Sequence, residues 1–261
     1  MNNTTLLTIQ GIATQHRVLG ADNDGAAVVM LHGWGASSEL MLPLAERLAK
    51  RSYRLYIPDL PGFGGSAVPP SAWTVYDYAA WVIAYLDSQA LTQVQIFGHS
   101  FGGRLCLILG AEYAERVLKI VLANSAGVLT PTPPLTQVRQ TAYKAARDGL
   151  RRVGLGAWAA RLQAWYAGRY GSADYQSAGG IMRQILVNTV TADLLPVAAR
   201  VARSTLLLWG DADQDTPLWQ GQTLERTMPD AGLVVFKGAG HYSYLERADE
   251  TAQVIDYFWK V

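Results

Sequence analysis

Short, largely apolar runs alternate along this chain with longer stretches that carry helical periodicity. The runs fall at residues 26–31, 53–57, 94–97, 118–122, 205–209 and 233–236. Each has strand length. Strands that are apolar on both faces are the kind covered by helices on each side, as in a parallel sheet. Between them, residues 38–51, 75–89, 102–115, 218–228 and 247–259 are long enough for the crossover helices that such a sheet requires. The opening segment, residues 6–20, is expected to add an antiparallel pair at one edge.

The alternation breaks between Gly127 and Arg203. Residues 130–134 read Thr-Pro-Thr-Pro-Pro, a linker signature, and the stretch that follows to Leu195 predicts helices without a strand. A helical block inserted between two strands is expected to form a cap over the sheet's carboxyl end. The expected organisation is a core of residues 1–127 and 204–261, with a cap of residues 128–203.

Composition narrows the function. The 261 residues are 50% hydrophobic and 16% charged, with a net charge of +1, which excludes a disordered chain and argues against a dedicated nucleic-acid binder. A single cysteine, Cys106, excludes an intrachain disulfide framework and a multi-thiolate metal site. The start lacks a basic segment followed by a long apolar one, and the longest apolar run, residues 78–86, is half of what a membrane span needs. A cytoplasmic protein with no membrane span is therefore expected.

The near-neutral total conceals an asymmetry. Residues 128–203 hold ten Lys/Arg against three Asp, a charge of +7, and the remainder of the chain carries −6. Two readings follow: a basic cap on an acidic body with Arg stems covering apolar surface, or steering of an anionic substrate by Arg161, Arg169 or Arg183.

Candidate chemistry centres on Gly98-His-Ser-Phe-Gly102, which follows a predicted strand and opens a predicted helix. That setting gives a G-x-S-x-G motif its meaning, because a tight strand-to-helix turn lifts the serine hydroxyl into a cleft. Gly98 and Gly102 allow the close backbone approach, and the helix N-terminus aims the Phe101 N–H at a developing oxyanion. Ser100 then needs a base. Of the four histidines, His16 lies in the edge region, His32 ends a strand, and His99 adjoins the nucleophile. His241, in the loop after the last predicted strand, is the expected base. The acid should follow a strand between Ser100 and His241, where Asp211, Asp213 and Asp215 are available.

Together these segments resemble the α/β-hydrolase superfamily. The family's acid loop, in which a Gly precedes the Asp by three residues and a Pro follows by four, is matched by Gly210, Asp213 and Pro217, so the resemblance implies Asp213. Asn124 stands where some relatives keep an alternative acid. His32-Gly-Trp-Gly35 resembles the second oxyanion loop, implying that the Trp34 N–H joins that of Phe101, with His32 and Gly33 shaping the loop. Asp59, Gly62, Gly64 and Ser66 match a further loop expected to shape the neighbouring turn. The implied fold is a mostly parallel sheet of about eight strands flanked by helices, with a helical cap insertion.

The resemblance implies an ester hydrolase using a Ser100-His241-Asp213 triad, with no cofactor and no metal. Trp158, Trp165 and Tyr166 of the cap, with Tyr242, are candidates for a small or medium acyl pocket. His99 and Arg104 are expected to pack or support. A ring-cleavage C–C hydrolase is the runner-up, because such enzymes usually carry a Gly-Pro-Gly oxyanion loop and a Trp shortly after the histidine, where this chain has Gly33-Trp-Gly35 and Tyr242. Cofactor-free perhydrolases share the same triad, and a non-catalytic small-molecule receptor is the alternative of a different class.

Overall fold

The computed structural model describes residues 3–131, 133–170 and 172–261; the first two residues of the chain start and Thr132 of the predicted linker lie outside the described residues. The strands are β1 (Asn3–Ile9), β2 (Ile12–Leu19), β3 (Ala27–Leu31), β4 (Arg54–Pro58), β5 (Val94–His99), β6 (Val117–Ala123), β7 (Thr205–Gly210) and β8 (Ala231–Phe236). They form one sheet in the order β1-β2-β4-β3-β5-β6-β7-β8. The β1–β2 and β2–β4 pairs are antiparallel and every other pair is parallel, so the edge pair expected from residues 6–20 is present.

The core helices are α1 (Ser38–Ala49), α2 (Val75–Ser88) and α3 (Phe101–Glu112). Between β6 and β7 come α4 (Pro134–Arg152), α5 (Gly156–Tyr170), α6 (Ala173–Ser177), α7 (Gly180–Val190) and α8 (Leu195–Ala198). The chain finishes with α9 (Leu218–Thr227), α10 (Ser243–Glu246) and α11 (Ala248–Lys260). The start of α2 is set by a reciprocal cap, in which the Thr74 hydroxyl accepts from the Asp77 N–H and the Asp77 carboxylate accepts from the Thr74 N–H.

Side chains alternate across each strand, so the apolar runs supply two cores. Residues of α2, α3, α8 and α9 pack on one face of the sheet around Trp81, Leu105, Ile120 and Trp209. Residues of α1, α10 and α11 pack on the other around Met30, Leu44, Phe97 and Tyr244. Every residue of β3, β5 and β7 is buried, as expected of largely apolar strands covered on both faces. The last strand differs: β8 is only partly buried, with Val235 exposed, because it closes the edge of the sheet.

The residues between β6 and β7 do not behave as one unit. Ile185, Leu194, Val197, Ala198 and Val201 join the main core. Arg104, buried and pushed down to about 10 by that burial, donates through Nη1 to the Ala192 carbonyl at 3.0 Å. In contrast, no residue of α4 is buried, and Ala159 is the one buried residue of α5. Among the described residues, no helix is long and apolar enough to cross a membrane.

Candidate active site

Parallel pairing brings five strand ends to one side of the sheet. Leu31 is in register with Gly98, His99 with Ala123, Ala123 with Leu208, and Gly210 with Phe236. The residues just beyond these ends are His32, Ser100, Asn124, Asp211 to Asp213 and, one loop later, His241. Residues far apart in sequence converge because each follows a strand of the same direction.

Ser100 occupies the turn between β5 and α3 with φ 49°, in the left-handed region that costs a non-glycine residue energy. The Ser100 N–H donates to the Ala123 carbonyl, and the Ser100 carbonyl accepts from Gly103, Arg104 and Ala126 amides. The turn is compact enough that a side chain at Gly98 would meet Cys106 Sγ and the Gly102 backbone, and one at Gly102 would collide with the Leu31 carbonyl. The first amides of a helix have no partner within it. Here the Gly102 N–H donates to the His32 carbonyl at 3.1 Å, and the Gly103 and Arg104 amides reach back to Ser100. The amide of Phe101, the first residue of α3, has no such partner among the described residues.

Asp213 is fully enclosed, and its carboxylate is surrounded by donors. Oδ2 lies 2.9 Å from His241 Nδ1, 2.6 Å from Asn124 Nδ2 and 2.7 Å from Thr216 Oγ1, and Oδ1 accepts from the Asp215 and Thr216 amides. Burial alone would raise its pKa; the bonds from His241 and Thr216 outweigh it and hold Asp213 at about 2. Asp211 is used elsewhere, accepting from the Gly238 N–H at 2.6 Å. Asp213, Asp215 and His241 present donor atoms within 4.8 Å of one another, but both Asp213 oxygens are committed to these hydrogen bonds.

His99 couples the two halves of this arrangement. Its Nε2 donates to the His241 carbonyl at 2.9 Å, and its ring centroid lies 4.8 Å from that of His241 and 4.9 Å from those of Tyr242 and Tyr244. The His241 loop is thereby tied to the residue preceding Ser100. Burial, reinforced by the neighbouring His241, pushes the His99 imidazole down to about 3, so it remains a neutral donor. His32 is also buried and shifted down. Its Nε2 accepts from the Leu60 N–H, which fixes the proton on Nδ1, and Nδ1 donates to the Gly33 carbonyl at 2.7 Å.

Asp59 shapes the adjoining turn, accepting from the amides of Ser38 and Gly65 and from Gln15 Nε2. Trp34 is half-buried, packed edge-on against Phe63 at 4.8 Å and Phe101 at 5.5 Å. The two residues whose amides are the candidate oxyanion donors thus brace each other through their rings.

The pocket candidates separate. Tyr242 lies beside His99 and His241. Trp158 and Trp165 are exposed and line a groove with Leu150, Leu155, Arg161 and Leu162. Tyr166 stacks on Tyr143 at 3.9 Å. Arg161, Arg169 and Arg183 each lie over an aromatic ring of the inserted helices, Trp158, Tyr170 and Tyr175 respectively.

Sequence reasoning overlooked Thr216 and Ser243, and treated Asn124 only as a missing acid. In fact Asn124 takes the left-handed conformation with φ 45°, donates to Asp213, and accepts from the Ser243 hydroxyl. A small polar residue immediately after a buried strand was the available signal.

Residues 26–248 match the alpha/beta hydrolase fold family. The chain is 30% identical to a 2-hydroxymuconate semialdehyde hydrolase of Pseudomonas putida, covering 90% of this chain and 87% of that protein. It is 28% identical to a pimeloyl-[acyl-carrier protein] methyl ester esterase of Chromobacterium violaceum, covering 88% and 93%. An esterase from Exiguobacterium antarcticum superposes with a TM-score of 0.75 at 22% identity, covering 99% of this chain and all of that one.

Proposed function

The chain belongs to the alpha/beta hydrolase fold family, and from that premise we propose that it is a serine hydrolase that cleaves carboxylic esters through an acyl-enzyme on Ser100. The observation that carries the reading is the buried Asp213 carboxylate bonded to His241 Nδ1 at 2.9 Å, with the His241 loop tied to the strained Ser100 turn through His99. That bond leaves His241 Nε2 as the proton acceptor.

In the proposed reaction, Ser100 Oγ attacks the carbonyl carbon as His241 takes its proton. Asp213, ionised at neutral pH because its pKa is about 2, stabilises the imidazolium without accepting the proton. The Phe101 and Trp34 amides hold the oxyanion; losing one such donor costs about 10²–10³ in rate. Collapse of the tetrahedral intermediate expels the alcohol, protonated by His241. Water activated by the same histidine then releases the acid. No step requires a group that these residues do not supply.

C–C bond hydrolysis of a ring-fission product is the second reading, favoured by the 30% identity to the 2-hydroxymuconate semialdehyde hydrolase. Tyr242, in place of the tryptophan expected of that class, supports the ester reading. A fluorophosphonate probe tests the nucleophile: labelling that disappears in Ser100→Ala is expected, whereas no labelling of the native protein would leave the receptor reading. A panel of activated esters of increasing acyl length, with a ring-fission dienoate included, tests the chemistry. Turnover confined to the dienoate would reverse the ranking.

A further inference from the structure

We propose that the outward face of the α4–α5 hairpin is a docking surface for anionic lipid bilayers. This deepens the ester-hydrolase reading by naming lipid-borne esters as its substrate class.

The hairpin is unusual in both its apolar and its charged residues. Among the described residues, 134–170 hold seven of the nineteen large apolar side chains that are exposed: Leu135, Val138, Val153, Leu155, Trp158, Trp165 and Tyr170. Trp158 and Trp165 are 58% and 60% exposed and share the groove with Leu150, Leu155 and Leu162. The same segment carries seven basic residues and one acidic residue, Asp148, which Arg147 already engages at 2.8 Å. Arg161 lies over the Trp158 ring at 5.4 Å, placing a guanidinium at the rim of the apolar groove. Exposed tryptophan and leucine flanked by arginine suit the boundary between acyl chains and headgroups, where the rings enter the apolar layer and the cations meet phosphate.

Charge selects the occupant. A segment with a net charge of +6 repels a second copy of itself, and an anionic bilayer attracts it. The chain outside residues 128–203, at −6, is repelled by the same bilayer, so the protein is held with the hairpin toward the lipid. The short helix α6 directly follows α5, and its Asp174 is near enough to Asp215 and His241 to interact with their charges.

The test is sedimentation of the full chain with phosphatidylcholine vesicles, with and without phosphatidylglycerol. Binding only to the anionic vesicles, weakened by salt and accompanied by a blue shift of tryptophan emission, is expected. Each basic residue near the surface contributes roughly fivefold, so Arg151→Glu with Arg152→Glu should weaken binding by at least about tenfold while turnover of a water-soluble short ester is unchanged. Trp158→Ser with Trp165→Ser should remove both binding and blue shift. Equal binding to both vesicle types, or no binding, overturns the proposal. So does a concentration-dependent dimer lost in the tryptophan variant without vesicle binding. Ser100→Ala should still bind vesicles, so failure of the hydrolase reading is detected separately.

Discussion

His99 makes folding stability depend on pH in a way that can be isolated. In the unfolded chain its imidazole titrates near 6.5, whereas in the folded protein burial and the neighbouring His241 lower it to about 3. Between these values the unfolded state binds a proton that the folded state excludes. Stability from this group is complete above pH 6.5 and declines as pH falls toward 3. At pH 5 the unfolded chain gains about 2 kcal/mol from protonating this residue, relative to pH 7.5. The figure is the same for a folded value of 3 or 4, because pH 5 lies above both. Asp213, at about 2 against its ordinary 3.8, is ionised in both states across that interval and adds no slope. His16 and His32 are shifted down by burial too, but both are present in the native protein and in a His99 variant, so their own desolvation cancels in the comparison.

The perturbation is His99→Gln, which keeps an N–H able to face the His241 carbonyl and removes the titration. Urea unfolding of both proteins at pH 7.5 and pH 5 is the assay. The native protein should lose about 2 kcal/mol more than the variant on acidification. Any uniform destabilisation by the substitution drops out, since only the difference in slope is read. Equal losses for the two proteins would refute the assignment of His99 as a neutral buried donor.

Further outcomes follow from the same contacts. Asn124→Ala removes one donor from Asp213 and the acceptor of the Ser243 hydroxyl; a hydrogen bond to a charged group is worth about 1.5–3 kcal/mol, so kcat for a soluble ester should fall at least about tenfold with KM little changed. An unaltered kcat would show that Asp213 is held well enough by Thr216 and His241. Gly102→Ala drives a methyl into the Leu31 carbonyl and should cost about 1–3 kcal/mol, read as a lower thermal midpoint. Gly149→Ala, in α4 with open space around it, should instead stabilise by up to about 1 kcal/mol.

Much of the fold was legible because its central strands are buried on both faces and so read as continuous apolar runs. The edge strand β8 was recognised only from Leu233, since its first residues are Ala231 and Gly232, which carry little apolar signal. The turn bearing Ser100 was legible because its glycines are enforced by contacts with Leu31 and Cys106. The role of Asn124 was not, because a hydrogen bond across β6 and β7 leaves no periodic trace. Nor could charge counting locate the cations of the inserted helices, of which Arg139, Arg147, Arg161, Arg169 and Arg183 lie over aromatic rings.

Local chemistry, then, determined the elements of this protein: apolar periodicity chose strands and helices, and glycine spacing chose the turn that carries Ser100. Those interactions act between near neighbours and are written in consecutive residues. The environment of Asp213, the neutral state of His99 and the exposure of the α4–α5 hairpin were decided by tertiary structure alone. The first two depend on desolvation and on hydrogen-bond partners brought in from distant loops, and neither exists until the sheet has closed around them; the third depends on which helices find a place against the core.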